Sequence, residues 1–95
     1  MKIDSLKKLI KEAVEKENVI LFFYADWCGG CKVAHPMVQK IASRLNFKLI
    51  PINENEELEE EYEVDFYPHL VLANKGKTKH YLGATEIKKL YESII

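Results

Sequence analysis

Apolar residues recur along the chain at two spacings, one typical of amphipathic helices and the other of buried strands. The first stretch with helical spacing has lysines and glutamates between its apolar residues, which are Leu6, Leu9, Ile10, Ala13 and Val14. It predicts a helix with an N-cap at Asp4 or Ser5. The continuous apolar run 19–24 is rich in branched and aromatic residues. That run predicts a central strand buried on both faces.

The middle of the chain repeats this order. An apolar stripe predicts a second helix over about residues 28–45, formed by Ala34, Met37, Val38, Ile41 and Leu45. Pro36 lies inside this helix and is expected to kink it, because proline removes a backbone donor and clashes with the preceding turn. Residues 47–52 predict a second strand, and residues 56–62 a short acidic helix.

The last third of the chain predicts a hairpin and a final helix. Residues 70–73 and 78–82 are strand-like and are joined by a turn over residues 74–77. Gly83 is expected to end the second of these strands, and Thr85 to cap the last helix. The predicted order is α-β-α-β-α-β-β-α. We therefore expect an α/β fold with a four-stranded mixed sheet, helices on both faces, the first two strands parallel and the last two antiparallel.

Size and charge narrow the classes of function. The chain has 95 residues, which predicts one domain over residues 1–95. A net charge of −1 gives no support for nucleic-acid binding. The longest apolar stretch, residues 19–25, is too short to span a membrane, and the first residues contain no signal-peptide pattern. We expect a soluble cytoplasmic protein.

The two cysteines are the candidate chemistry. Cys28 and Cys31 follow Trp27 and the predicted central strand, and they open the second predicted helix. A thiolate is favoured at a helix N-terminus, so this spacing suits a reversible disulfide. The alternatives are inert core thiols or half of a zinc site. We favour redox chemistry over zinc because the chain has no second C-x-x-C motif.

Several motifs in order resemble the thioredoxin family. Residues 24–32 read Tyr-Ala-Asp-Trp-Cys-Gly-Gly-Cys-Lys, Pro36 follows, Tyr67-Pro68 opens a strand, and Gly83 precedes the last helix. The resemblance covers the chain from about residue 5 to its end and implies a thioredoxin-like fold. The additional N-terminal strand of full-length thioredoxins is missing.

The resemblance implies a role for each of these residues. Cys28 would be the exposed nucleophile that attacks a substrate disulfide, and Cys31 the shielded thiol that resolves the mixed disulfide. Trp27 would cover the site and contact substrates. Pro68 would be cis and face the dithiol, leaving the backbone of Tyr67 free to pair with a peptide strand. Gly83 is also expected at the substrate site.

The implied activity is reduction of protein disulfides by a reversible dithiol, with roles in electron transport and cell redox homeostasis. A thioredoxin-reductase-like donor would supply the electrons to a monomer without cofactor or metal. A glutaredoxin-like or isomerase-like protein is one alternative, although Gly30 stands where isomerases have histidine. A metal or iron–sulfur module is another, because Cys28, Cys31 and His35 have ligand-like spacing and a dimer could complete the ligand set.

The chain also departs from the family. The dipeptide between the cysteines is Gly29-Gly30 instead of the usual Gly-Pro. Phe22 stands where thioredoxins place a buried aspartate, and Leu49 where they often place a lysine. His35 lies four residues after Cys31, so it would share a helix face with it. It could relay the resolving proton, or it could be a histidine without a role.

Two further features remain open in the sequence. His69, where the family commonly has threonine, could face the thiols or the opposite side of its strand. His80 receives no role. Residues 54–65 hold seven glutamates and one aspartate. This acidic tract is either a solvated helix face or, if it lies beside the cysteines, a surface that favours basic partners.

Overall fold

The computed structural model describes residues 2–95, with side chains from Leu6 onwards. Its elements are α1 (Lys2–Lys16), β1 (Asn18–Tyr24), α2 (Gly29–Leu45), β2 (Lys48–Asn53), α3 (Glu56–Glu61), β3 (His69–Asn74), β4 (Lys77–Leu82) and α4 (Gly83–Ile94). The predicted order of helices and strands is confirmed.

The four strands form one mixed sheet in the order β2-β1-β3-β4. β1 pairs in parallel with β2 and antiparallel with β3, and β3 pairs antiparallel with β4. The two-residue turn Lys75-Gly76 joins β3 to β4, and both residues have positive φ, 47° and 93°. Such turns match the right-handed twist of a hairpin. The predicted strand directions are therefore confirmed.

The central strand β1 separates two apolar layers. Its residues from Val19 to Phe23 are at most 1% exposed. Ile20 and Phe22 pack on the side of α2 and α4, whereas Leu21 and Phe23 pack on the side of α1 and α3. Alternation along a strand produces this division. The predicted helices on both faces are confirmed.

The apolar stripe of α1 is narrower than its sequence spacing predicts. Ile10 and Val14 are buried, but Leu6 is 49% and Leu9 63% exposed. Leu6 and Leu9 therefore lie on a part of the stripe that the rest of the described chain does not cover. Within residues 2–95, no helix is both long enough and apolar enough to cross a bilayer.

Two predictions of helix caps are wrong. Asp4 and Ser5 lie inside α1, so neither is its N-cap. Thr85 lies inside α4, which begins at Gly83 with Leu82 as the N-cap. The sequence favoured a hydroxyl cap, whereas the hairpin return feeds directly into the helix. Gly83 therefore opens α4 rather than simply ending β4. The ends of several other elements differ from prediction by a residue or two.

Candidate functional site

Cys28 and Cys31 form a disulfide at the N-terminus of α2. Cys28 is the N-cap, with extended backbone angles of −91° and 110°. The Cys31 N–H donates to Cys28 Sγ at 3.1 Å. A backbone N–H with no partner inside the helix is thus directed at the first sulfur, where it would stabilise a thiolate after reduction. The predicted location of this sulfur is confirmed.

Both sulfur-bearing residues are shielded from solvent. Cys28 is 7% and Cys31 3% exposed, and both belong to the apolar cluster between the sheet and helices α2 and α4. Cys28 was expected to be exposed, so the difference between the two positions is smaller than predicted. The disulfide ties Cys28 to a residue one turn into the helix, which draws its side chain against the core.

Pro68 lies against the turn that carries the disulfide. The Tyr67–Pro68 peptide bond is cis, as the resemblance implies. A Cβ atom added to Gly30 would lie 3.5 Å from Pro68 Cδ and 4.0 Å from Ala84 Cβ. The N–H of Gly83 donates to the Pro68 carbonyl at 2.9 Å. Gly83 has a φ of 83°, which glycine adopts without strain. The first turn of α4 therefore holds Pro68 beside the disulfide.

Trp27 forms the exposed rim of the site. It is 72% exposed, and its Nε1–H donates to Glu54 Oε2 at 2.7 Å. Its ring meets the Tyr67 ring edge to face, with centroids 5.7 Å apart. The Tyr67 hydroxyl in turn donates to a carboxylate oxygen of Glu59. Two aromatic residues next to the disulfide are thus each held by one carboxylate.

The acidic tract therefore lies beside the cysteines and not only in solvent. Burial, and then the hydrogen bond to Glu59, raise the pKa of Tyr67 above its ordinary value, so its hydroxyl remains a donor. The sequence indicated an acidic segment but did not single out Glu54 or Glu59. Glu54 has a φ of 47°, a left-handed conformation that only the folded chain reveals.

His69 lies on the opposite face of the sheet from the disulfide. It is 3% exposed and packs with the layer that contains Phe23, whose ring centroid is 6.1 Å away. His69 Nε2 lies 2.8 Å from His80 Nδ1. Burial and the neighbouring His80 lower the pKa of His69 to about 4. Of the two orientations left open by the sequence, the structure has the one facing away from the thiols.

His35 stacks on aromatic residues of β1. Its ring centroid lies 5.5 Å from that of Phe22 and 6.3 Å from that of Tyr24. Phe22 is in the same apolar cluster as both cysteines, and Leu49 packs against it. Across the described side chains, no group of three or more His, Cys, Asp or Glu residues could hold a metal ion.

Neither glycine between the cysteines is required by the backbone. Gly29 and Gly30 have no positive φ, and a Cβ at either position meets nothing closer than 3.5 Å. We expect Gly30→Pro to fold normally, since proline is tolerated in the first turn of a helix. Proline should restrict the flexible reduced turn more than the closed disulfide. The reduced form should therefore be destabilised relative to the oxidised form by about 0.4–1 kcal/mol. The reduction potential should then fall by roughly 10–20 mV.

Equilibration with glutathione buffers measures this shift, and Gly30→Ala is the matched control with a smaller effect. A potential that rises in Gly30→Pro would contradict the entropic argument.

Comparisons with known proteins agree on one family. The thioredoxin family model matches residues 2–95. Thioredoxin from Mycoplasma pneumoniae is 35% identical over 81 residues, which cover 82% of this chain and 79% of that protein. Protein disulfide-isomerase from Drosophila melanogaster is 35% identical over 91 residues, but these are only 18% of that longer protein. A mutant thioredoxin from Halobacterium salinarum NRC-1 has a similar structure, with a TM-score of 0.75 and 30% identity over 93% of this chain and 80% of that one.

Proposed function

The chain belongs to the thioredoxin family and is a thiol-disulfide oxidoreductase, and from this premise we propose that it reduces disulfides in other proteins. The observation that carries the proposal is the disulfide at the start of α2, with Cys28 as the N-cap and the Cys31 N–H directed at its sulfur. This geometry favours a thiolate at Cys28 once the disulfide is reduced.

Each turnover moves two electrons from the protein to the substrate. The Cys28 thiolate attacks one sulfur of the substrate disulfide, forms a mixed disulfide and releases the first substrate thiolate, which takes up a proton. Cys31, as its thiolate, then attacks Cys28 Sγ. The second substrate thiolate leaves, and the Cys28–Cys31 disulfide remains. An external dithiol must reduce it before the next turnover.

The substrate would bind on the rim that surrounds the disulfide. Trp27 supplies an exposed apolar ring there. Pro68 lies against Gly30, so a bound segment would run past Tyr67 and Pro68 and reach the disulfide. Gly83 supports this surface through its hydrogen bond to the Pro68 carbonyl. We propose that main-chain pairing with Tyr67, which lies outside the paired residues of β3, orients an extended substrate segment.

The setting of the protein is inferred from its chemistry. We propose a monomer with residues 1–95 as a single domain, in which all four described strands share one sheet. It would act in the cytoplasm, where thiols are kept reduced, and contribute to electron transport and redox homeostasis. A thioredoxin-reductase-like protein would supply electrons, and no cofactor would be needed in this chain because the cysteines carry the redox change.

Reduction of insulin by the protein with limiting dithiothreitol tests this function. We expect turnover well above that of dithiothreitol alone, and a potential near the thioredoxin value of roughly −270 mV. Absence of turnover would sink the proposal.

A disulfide isomerase is the second candidate, because the chain also matches part of a protein disulfide-isomerase. A potential near roughly −180 mV, together with refolding of scrambled ribonuclease, would favour that activity instead.

A further inference from the structure

His35 lies one helical turn after Cys31 on the same face of α2. Residues four apart on a helix are neighbours, with Cβ atoms about 5–6 Å apart. Side chains on a helix also lean towards its N-terminus. This spacing brings the backbone positions of His35 and Cys31 within one turn of each other on α2.

His35 contacts the apolar core on one side and solvent on the other. Its ring stacks on Phe22 at 5.5 Å with an interplanar angle of 25°, and on Tyr24 at 6.3 Å with an angle of 17°. Phe22 is 1% exposed and shares its cluster with Cys28 and Cys31. His35 itself is partly exposed. A group in this position can take a proton from the buried side and release it to water.

Resolution of the mixed disulfide is faster when such a group takes up the thiol proton. Cys31 is 3% exposed, and apolar surroundings disfavour a charged thiolate. The partly buried hydrophobic residues that pack against this cluster include four phenols, Tyr24, Tyr67, Tyr81 and Tyr91. A phenol is already protonated at neutral pH and accepts no proton there.

Nearby charged residues are less suited than His35 to accept the Cys31 proton. Lys32, on the same helix, is a cation and an exposed one. Asp26 is a carboxylate in the loop before Cys28, and it too is exposed. Imidazole is the side chain whose ordinary titration lies near neutral pH, which suits proton transfer there.

We propose that His35 accepts the Cys31 proton during resolution, an inference that rests on the proposed dithiol mechanism. Neutral imidazole takes the proton from Cys31 Sγ, and the thiolate attacks Cys28 Sγ. The bond between Cys28 Sγ and the substrate sulfur breaks, and the substrate leaves as a thiolate. The imidazolium then returns its proton to that thiolate or to water. The two electrons that the cysteines lose are the two that the substrate disulfide gains, so no further reactant is needed.

A chromogenic aromatic disulfide separates the two steps. Reduced protein mixed with 5,5′-dithiobis(2-nitrobenzoate) releases one coloured thiolate when Cys28 attacks and a second when Cys31 resolves the mixed disulfide. We expect His35→Gln to leave the first phase unchanged and to slow the second on the order of 10²-fold. The rate of the second phase in His35→Gln should also depend on pH differently from that of the wild-type protein. Added imidazole should restore much of the second phase in His35→Ala.

Two matched variants test the assignment. His80→Gln removes a histidine on the other face of the sheet, and both phases should match the wild-type protein. Asp26→Asn removes the nearest carboxylate in sequence, and it should leave the pH profile of the second phase in place. A wild-type second phase in His35→Gln would overturn the inference, as would a change in the pH profile of the second phase that occurs in Asp26→Asn but not in His35→Gln.

This readout does not depend on protein substrates. A protein that shows both coloured phases but does not reduce insulin would contradict the proposed function and leave the role of His35 standing.

Discussion

Replacing Cys28 with serine is expected to reduce insulin turnover to the rate of dithiothreitol alone. A serine hydroxyl is not ionised at neutral pH, and the helix N-terminus that favours a thiolate cannot make it an effective nucleophile towards sulfur. Replacing Cys31 with serine should also abolish turnover, but for a different reason. Cys28 can then still attack, and the protein should accumulate as a covalent mixed disulfide with its substrate.

Mass spectrometry of the two variants after mixing with a disulfide peptide distinguishes these outcomes. Cys31→Ser should gain the mass of one peptide half, and reduction should remove it. Cys28→Ser should gain little, because Cys31 lies inside α2 and lacks the N-cap position that favours a thiolate at Cys28. Thermal unfolding of both variants provides the control for folding. A stable adduct formed by Cys28→Ser instead would reverse the assigned roles of the two cysteines.

Acidification from pH 6.5 to pH 4 is expected to lower the free energy of unfolding by about 3 kcal/mol through His69 alone. The pKa of His69 is lowered to about 4 in the folded protein, by burial first and by His80 second, although Asp65 and Glu86 oppose the shift. The unfolded chain therefore binds this proton at a higher pH than the folded chain. The stabilisation is complete above about pH 6.5 and is lost as the pH falls towards 4.

Urea unfolding at several pH values between 4 and 7 measures this effect. His69→Leu removes the buried imidazole, whose Nδ1 has no hydrogen-bond partner among the described residues. Its free energy of unfolding should depend on pH less than that of the wild-type protein, by about 3 kcal/mol over the interval. A His69→Leu variant with the full wild-type slope would exclude His69 as the source.

For the acidic tract, the sequence predicted the charge of the surface but not the residues that it contacts. Composition does not specify which way a side chain points, so it could not predict the contacts with Trp27 and Tyr67. The chain brings Glu54 to Trp27 from 27 positions away. That contact depends on the parallel pairing of β1 with β2, which places the ends of both strands at one edge of the sheet. Only the folded arrangement shows that these carboxylates border the disulfide.

The sequence alone determined the elements with strong periodicity and the cysteine chemistry. β1 was predictable because a buried strand must be apolar throughout, and the position of Cys28 followed from the strand and helix on either side of it. Contacts between distant segments were decided by the tertiary structure. His69 faces away from the thiols because the register of β3 places it on the layer of Phe23, and Leu82 replaces Thr85 as the cap because β4 runs directly into α4. Local patterns fix what a segment can bury, whereas strand register and helix packing determine what it meets.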